Sequence, residues 1–192
     1  MSEPVKAAVF GTGSWGTAFG MVLADAGCDV VLWGRRPELA EAVNSTRTNP
    51  DYLPGIELPE NLRATTDAVD AARGADFTVL AVPSQTLRDN LADWAPLLAP
   101  GTVLVSLMKG VELGSAMRMS EVIDDVAKVG AERIAVVTGP NLAREIAARM
   151  PAAAWWPAPT KPSPGASRPP ATRRTSGRTP TPTSSAANWA AR

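Results

Sequence analysis

The chain has 192 residues, of which 19 are basic, 19 are acidic and none is histidine. The lack of histidine excludes it as a general base or metal ligand, and with Cys28 as the one cysteine we expect no metal site. A single cysteine cannot form an internal disulfide, which favours a reducing, cytoplasmic compartment. No stretch reaches the roughly 18 apolar residues of a membrane span. The first 151 residues carry 13 basic and 19 acidic side chains. Because this part of the chain is acidic, we expect it not to bind nucleic acid.

The N-terminal segment predicts a strand, a helix and a second strand in succession. Residues 5–10 are mostly apolar, which is typical of a strand buried on both faces. Residues 14–27 have helical spacing, with Gly27 as the predicted stop. The predicted apolar face of this helix consists of Trp15, Phe19, Val22 and Ala26. Residues 29–34 are again mostly apolar, so we expect a parallel βαβ unit at the start of the chain.

Three glycines lie between the first predicted strand and the first predicted helix. Gly11, Gly13 and Gly16 have the spacing G-x-G-x-x-G in the βαβ context that this pattern requires. Gly11 permits a tight turn, Gly13 lets backbone amides approach a pyrophosphate, and Gly16 lets the helix pack closely on the strand. The free N–H groups and the positive dipole end of the helix would hold the anion. The context therefore favours a dinucleotide site over the alternative, a glycine-rich turn that binds nothing.

Two arginines follow the second predicted strand. At this position an acidic residue would bind the ribose 2′-hydroxyl of NAD, but the sequence has Arg35 and Arg36. Because two guanidinium groups suit a 2′-phosphate, we expect NADP(H) to be tolerated or preferred. The alternative is a pair of solvated arginines, although a helix start favours anions.

The alternation of strands and helices continues to residue 150. We expect a loop over residues 47–61, which are rich in Pro and Asn. Further strands are predicted at residues 62–64, 76–82, 101–108 and 133–139. Further helices are predicted at residues 37–45, 66–73, 84–98, 115–130 and 141–150. Apolar strands that alternate with helices predict an α/β fold with a Rossmann-like, doubly wound parallel sheet.

Three further segments stand at the carboxyl ends of predicted strands, where open α/β sheets bind ligands. They are residues 81–85, Lys109 with Gly110 directly after it, and residues 136–145. Most lysines are solvated surface residues. A lysine at a strand end is a better candidate for holding an anionic substrate, and the pattern leaves both roles open for Lys109.

Six motifs taken together resemble one protein family. They are GTGSWGTA, LWGRR, YLPGIELP, AVPSQ, MKG and TGPNLAREIA, in this order between residues 5 and 154. They look like the N-terminal domain of bacterial-type NAD(P)-dependent glycerol-3-phosphate dehydrogenase. The resemblance implies a dinucleotide-binding domain over residues 1–154 and the reversible, NAD(P)H-dependent reduction of dihydroxyacetone phosphate to sn-glycerol 3-phosphate. It also implies a role in supplying glycerophospholipid synthesis, and a homodimer for the full-length family.

The resemblance implies roles for individual residues. The implied cofactor-binding residues are Gly11, Gly13, Ser14, Trp15, Gly16, Arg35, Arg36, Lys109 and Ala143. Lys109 would also contact the substrate, together with Gly139 and Asn141, although Asn141 stands where the family often has Ser or Thr. No catalytic residue is assigned, because the family's proton-transferring lysine lies in a later motif, G-x-E-L-x-G-A-x-K-N, which this chain lacks. The helical C-terminal domain of the family is also absent from the sequence.

The composition changes after residue 151. Residues 152–192 contain six basic residues, no acidic residue and no Val, Ile, Leu, Met, Phe or Tyr. We expect a disordered Pro/Ala/Arg/Thr-rich tail, because such a segment cannot offset its ordering entropy by burying apolar groups. Codons for Trp155-Trp156-Pro157 read one base over give Val-Ala, and the final TSSAANWAAR permits Cys-Glu-Leu-Gly-Gly-Ala. Since that run resembles the missing lysine motif, we expect residues 155–192 to be an out-of-frame translation and the chain to be a poorly active fragment.

Two other functions stay open. One is a stand-alone nucleotide-binding or regulatory module with a functional basic tail. The other is a different two-domain Rossmann reductase that acts on a 2-keto or 6-phospho acid. The absence of histidine and the pairing of MKG with TGPNLA argue against this second alternative.

Overall fold

The computed structural model describes residues 3–139 and 142–150. Strands in this part of the chain are β1 (Lys6–Phe10), β2 (Asp29–Trp33), β3 (Thr48–Asn49), β4 (Leu53–Glu57), β5 (Leu62–Thr65), β6 (Phe77–Leu80), β7 (Val103–Ser106) and β8 (Ile134–Val136). Helices are α1 (Ser14–Asp25), α2 (Pro37–Thr46), α3 (Ala68–Ala72), α4 (Leu87–Trp94), α5 (Met119–Ala127) and α6 (Ala143–Ala147). Each of the six strands predicted for the sheet is present. Five are shorter than expected, and β5 is one residue longer.

Six of these strands form one parallel sheet in the order β5-β2-β1-β6-β7-β8. The chain moves outward from β1 through β2 to β5, returns to β6 beside β1, and continues outward to β8. This is the predicted doubly wound, Rossmann-like topology. The strand order reverses between β1 and β6, the place where such sheets bind ligands beyond their carboxyl ends.

The helices cover both faces of the sheet. Along β1, Ala7 and Val9 belong to one buried cluster, which includes residues of α1, α2 and α6. The alternate residues Ala8 and Phe10 belong to a second cluster, which includes residues of α3, α4 and α5. Because successive side chains of a strand point to opposite faces, a strand covered on both faces needs apolar residues at most positions, and the buried Thr78 of β6 is hydrogen-bonded to Thr102. This requirement explains the apolar strand segments in the sequence.

The loop predicted over residues 47–61 is wrong in part. Strands β3 and β4 within it form a separate two-stranded antiparallel sheet, which we call the hairpin (residues 48–57). Asn49 and Leu53 are fully buried, and these buried side chains fix the hairpin to the domain. Pro54 is tolerated within β4 because a two-stranded sheet leaves one side of each strand unpaired.

Five of the predicted helices are shorter than expected, and α4 and α5 differ most from their predicted bounds. The helix predicted over residues 84–98 is α4, flanked by 3-10 turns at Ser84–Thr86 and Ala95–Leu97, and Pro96 accounts for the second turn. The helix predicted over residues 115–130 begins only at Met119, where the Glu121 side chain accepts a hydrogen bond from the Arg118 backbone N–H. It ends before Lys128, whose φ of 53° is left-handed.

Candidate functional site

The glycine loop (residues 11–16) joins the carboxyl end of β1 to the start of α1. Gly13 is the N-cap residue of this 12-residue helix, and no side chain of the described residues caps it. No acidic residue occupies its first turn. The first N–H groups of a helix have no intrahelical acceptor, so this helix start can accept an anion at the point where the strand order reverses.

The three glycines of this loop have different surroundings. Gly11 has a φ of +128°, and a Cβ there would collide with the carbonyl group of Ala81. A Cβ on Gly16 would collide with the carbonyl oxygen of Gly11 and lie 3.0 Å from the Cβ of Ala81. A Cβ on Gly13 would meet no atom within 4 Å. Gly11 and Gly16 therefore permit the loop to pack closely on itself and on Ala81, directly after β6, while the side of Gly13 is open to a ligand.

Asn49 of the hairpin holds the glycine loop in place. Its buried Nδ2 donates to the carbonyl oxygen of Thr12 and to Oγ1 of Thr17, each at 2.9 Å. The backbone N–H of Tyr52 donates to Oδ1 of Asn49 at 3.3 Å, and the Ser14 hydroxyl donates to the carbonyl oxygen of Tyr52 at 2.9 Å. The sequence reasoning missed Asn49. Its surroundings, rich in Pro and Asn, indicated only a loop, and the YLPGIELP motif begins three residues after Asn49.

The two arginines after β2 differ in their contacts. Both are exposed. Arg36 donates from Nε to Glu38 at 2.7 Å and from Nη1 to Asp51 at 2.6 Å, and these two carboxylates raise the pKa of its guanidinium further. In return, Arg36 lowers the pKa of Glu38. Within residues 3–139 and 142–150, Arg35 makes no ion pair or side-chain hydrogen bond.

Gly34, directly before these arginines, packs against the glycine loop. A Cβ on Gly34 would lie 2.6 Å from Oγ1 of Thr12. The end of β2 is therefore in close contact with the loop that follows β1. This contact brings the arginine segment and the glycine loop to the same edge of the sheet, as the sequence predicts.

The predicted apolar face of the first helix is only partly right. Phe19 is buried, Trp15 and Val22 are half-buried, and Ala26 is exposed beyond the end of α1. The buried side of α1 is wider than predicted and consists of Gly16, Thr17, Ala18, Phe19, Gly20, Met21, Leu23 and Ala24. This helix contacts both the sheet and α6, and Trp15 and Ala143 pack against the same buried cluster. A helix with neighbours on two sides needs more than one apolar stripe.

Lys109 and Gly139 come together at the carboxyl ends of β7 and β8. Lys109 is exposed, and its Nζ donates to the carbonyl oxygen of Gly139 at 3.3 Å. These are two of the three residues predicted for the substrate side. The third, Asn141, lies outside the described residues, and Leu142 is the N-cap residue of α6.

The segment that follows Lys109 is attached to residues 84–88. The Gln85 side chain donates to the carbonyl oxygen of Val111 and accepts from the N–H of Leu113, both at 2.9 Å. Arg88 donates to both carboxylate oxygens of Glu112, at 2.8 and 3.0 Å, and lowers the pKa of Glu112. Gln85 belongs to the AVPSQ motif, but no sequence pattern indicated this two-sided contact.

A cleft of about 430 Å³ lies at the opposite edge of the sheet. It is lined by residues near the amino ends of the strands, including Lys6 and Asp29, and its Arg63 is already paired with Asp70. Since ligands bind such sheets at the carboxyl ends, we place the candidate site at the glycine loop. Residues 3–139 and 142–150 contain no group of three His, Cys, Asp or Glu arranged to hold a metal. No helix in the described part of the chain is long and apolar enough to cross a membrane.

Comparison with known proteins gives one consistent result. Residues 6–161 match the family model described as NAD-dependent glycerol-3-phosphate dehydrogenase N-terminus. The chain is 90% identical over 154 residues to the glycerol-3-phosphate dehydrogenase [NAD(P)+] of Streptomyces coelicolor. The aligned region covers 80% of this chain and 46% of that protein. It therefore spans about half the length of the curated relatives it matches.

Solved structures agree with this match. The glycerol-3-phosphate dehydrogenase of Coxiella burnetii superimposes with a TM-score of 0.71 at 32% identity, over 79% of this chain and 46% of that chain. The yeast glycerol-3-phosphate dehydrogenase superimposes with a TM-score of 0.69 at 28% identity, over 76% and 45% of the two chains.

Proposed function

The chain belongs to the NAD-dependent glycerol-3-phosphate dehydrogenase family, whose N-terminal part it matches, and we propose that it binds NAD(H) or NADP(H) at the glycine loop. The observation that carries this proposal is the uncapped start of α1 behind β1, at the reversal of the strand order. Gly13 leaves the approach to this helix start open, and the first turn holds no carboxylate that would repel a pyrophosphate. Ser14, Trp15, Arg35, Arg36 and Ala143 are further proposed cofactor contacts.

We propose that the complete protein interconverts dihydroxyacetone phosphate and sn-glycerol 3-phosphate. When bound, the nicotinamide would supply or accept the hydride at the substrate carbonyl carbon. Lys109, whose ammonium group lies beside the carbonyl of Gly139, would hold negative charge of the substrate at the carboxyl ends of β7 and β8. The exposed position of Lys109 suits this role because the substrate must reach it from solvent. The match to this family favours this reaction over a 2-keto or 6-phospho acid substrate.

We propose that the chain as it stands has little or no turnover. The sequence lacks the motif that carries the proton-transferring lysine, so protonation of the substrate oxygen has no assigned donor. We also propose that the dinucleotide-binding domain spans residues 1–154 and that residues 155–192 are translated out of frame. The 90% identity to the Streptomyces coelicolor protein extends over 154 of the 192 residues and the family match ends at residue 161, which supports a boundary in this region.

We also propose that the protein is located in the cytoplasm. Cys28 is buried as a free thiol, and burial raises its pKa, which favours the unreactive protonated form. A buried free thiol fits a reducing cytoplasm. We further propose that the full-length protein forms a homodimer, which sedimentation of the complete protein would test.

Calorimetric titration of the 192-residue chain with NADH and with NADPH tests the binding proposal. Gly13→Asp is the matched variant, because Gly13 has a φ of −69° and open space around it, and aspartate is a favourable N-cap residue. This variant should fold normally and lose dinucleotide binding, since its carboxylate would occupy the anion position. Failure of the parent chain to bind either dinucleotide would overturn the proposal.

The same variant separates the proposal from binding by the basic tail. If NADPH binds through the positive charges after residue 151, Gly13→Asp will leave its affinity unchanged. The turnover proposal has its own test, which is the oxidation of NADPH by dihydroxyacetone phosphate in a steady-state assay. A turnover number of about 1 s⁻¹ or more, within the ordinary range of enzymes, would contradict it.

The boundary proposal is tested by the DNA sequence of the encoding locus beyond the codon for Met150. We expect a one-base correction to open a long frame that continues through the lysine motif. A correct frame as written, followed by nothing resembling the family, would refute the out-of-frame origin of residues 155–192.

A further inference from the structure

We propose that Asp51 is a specificity-determining residue that weakens the preference for the 2′-phosphate of NADP(H) by holding Arg36. The inference rests on the proposed dinucleotide site. It adds that one residue of the hairpin, Asp51, allows the site to bind both NAD(H) and NADP(H).

Two carboxylates already hold Arg36. Its guanidinium group donates to Asp51 at 2.6 Å and to Glu38 at 2.7 Å, through two different nitrogens. A 2′-phosphate that binds Arg36 must share or displace these carboxylates. Arg35, its neighbour, makes no such pair among the described residues and offers its guanidinium without competition.

The charges around Arg35 and Arg36 cancel. The group formed by Arg36, Glu38 and Asp51 has a net charge of −1. With the positive charge of the neighbouring Arg35, the net charge is zero. A 2′-phosphate approaching two arginines therefore meets no net positive charge. Removing the Asp51 carboxylate would leave a net charge of +1, which would favour the phosphate of NADPH over the hydroxyl of NADH.

The turn that carries Asp51 is attached to the glycine loop. Asp51 lies on the turn between β3 and β4, two residues after the buried Asn49. The Asn49 side chain donates a hydrogen bond to the carbonyl oxygen of Thr12. Tyr52 follows Asp51, and its carbonyl oxygen accepts a hydrogen bond from the Ser14 hydroxyl. The turn is therefore held on both sides by the glycine loop, and the Asp51 carboxylate has a defined place relative to the proposed pyrophosphate position. Glu38, in the first turn of α2, has no such attachment to the loop within the described part of the chain, where its side chain pairs with Arg36.

The test is calorimetric titration of the 192-residue chain and of Asp51→Asn with NADH and with NADPH at one ionic strength. An exposed ion pair is worth up to about 1 kcal/mol, so we expect NADPH to bind about fivefold more tightly to Asp51→Asn. NADH affinity should stay within about twofold, because its ribose hydroxyl carries no charge to sense the change. Glu38→Gln is a second variant, with a shift toward NADPH in the same direction.

Asp25→Asn is the matched control. Asp25 forms a comparable exposed pair with Arg149 at the far end of α1, and its removal changes the net charge by the same amount. This control should leave the NADPH-to-NADH affinity ratio unchanged, and the basic tail contributes equally to every variant. An unchanged ratio in Asp51→Asn, with both dinucleotides bound, would overturn the inference alone. If the parent chain binds neither dinucleotide, the proposed function itself fails and the inference fails with it.

Discussion

The two sides of the candidate site are held by different kinds of interaction. On the side of β1 and β2, the glycine loop is fixed by the fully buried Asn49 and by close backbone packing against Ala81. On the side of β7 and β8, the segment after Lys109 is fixed at the surface by Gln85 and by the Arg88 ion pairs. The first side is fixed by burial and the second by polar contacts that solvent can reach.

The difference has a physical consequence for each side. A buried donor that loses its acceptor costs far more than an exposed one, which water can satisfy. Ion pairs near the surface are screened by salt and depend on pH. We therefore expect the glycine loop to stay in place over a wide range of conditions, and the segment after Lys109 to respond to pH and ionic strength.

The largest effect is expected for Gly11→Ala. The new Cβ would collide with the carbonyl group of Ala81 and would stand at a φ of +128°, so we expect a loss of about 3 kcal/mol in the free energy of unfolding. Gly101→Ala is the control, because Gly101 has a φ of +88° but a Cβ there would meet no atom within 4 Å. The control should lose about 1 kcal/mol in urea denaturation. Equal losses would show that packing against Ala81 does not restrain the loop.

Asn49→Ala should produce the next largest effect. It removes the two hydrogen bonds that Nδ2 donates and the acceptor of the Tyr52 N–H, at a cost of about 2 kcal/mol, although the Thr17 hydroxyl still donates to the carbonyl oxygen of Thr12 at 3.2 Å. Asn90→Ala is the control, since the Asn90 side chain donates to the carbonyl oxygen of Thr86 at the surface. We expect that control to lose less than about 0.5 kcal/mol in the same measurement. A loss below that of the control would contradict the role of Asn49 as the anchor of the loop.

A smaller effect, visible as pH dependence, is expected for Glu112→Gln. Arg88 and Ser115 lower the pKa of Glu112 in the folded chain from its ordinary value of 4.5. The carboxylate therefore stabilises the fold fully above pH 4.5, and this contribution is lost as the pH falls through the lowered pKa. Urea denaturation between about pH 3 and 6 should give a weaker pH dependence for the variant than for the parent chain. Identical curves would exclude Glu112 as a contributor to acid stability.

The smallest effect on stability, and a local one, is expected for Gln85→Ala. The N–H of Leu113 would lose its acceptor, so its hydrogen exchange should accelerate while the free energy of unfolding changes by less than about 1 kcal/mol. Gln85→Glu is the comparison variant, because it keeps an acceptor for Leu113 and loses the donor to Val111. Its Leu113 exchange should stay near that of the parent chain. Unchanged exchange in Gln85→Ala would disprove the contact of Gln85 with the N–H of Leu113.

Much of the fold follows from local patterns that the sequence contains. The apolar segments mark the six strands of the sheet because a strand covered on both faces buries a polar side chain only where it is hydrogen-bonded, as Thr78 is with Thr102. The contact of Lys109 with Gly139 was expected in outline, because both follow strands whose carboxyl ends meet at one edge.

The missed features depend on partners distant in the chain. Asn49 is buried because Thr12 and Thr17 accept its hydrogen bonds, and no pattern around residue 49 indicates those acceptors. The pairing of Arg36 with Asp51 likewise joins residues 15 positions apart. The start of α5 was misplaced because apolar spacing extends before Met119, whereas the Arg118 and Glu121 contacts set the boundary.

The bond from Asn49 to Thr12 also sets an order of events during synthesis, because it joins residues 37 positions apart. At roughly 5–20 residues added per second, the glycine loop leaves the ribosome on the order of 2–7 s before its anchor does. During that interval the nascent chain contains all three glycines but not the side chain that holds their loop. We expect the nascent loop to reach its final shape only when the hairpin has been translated.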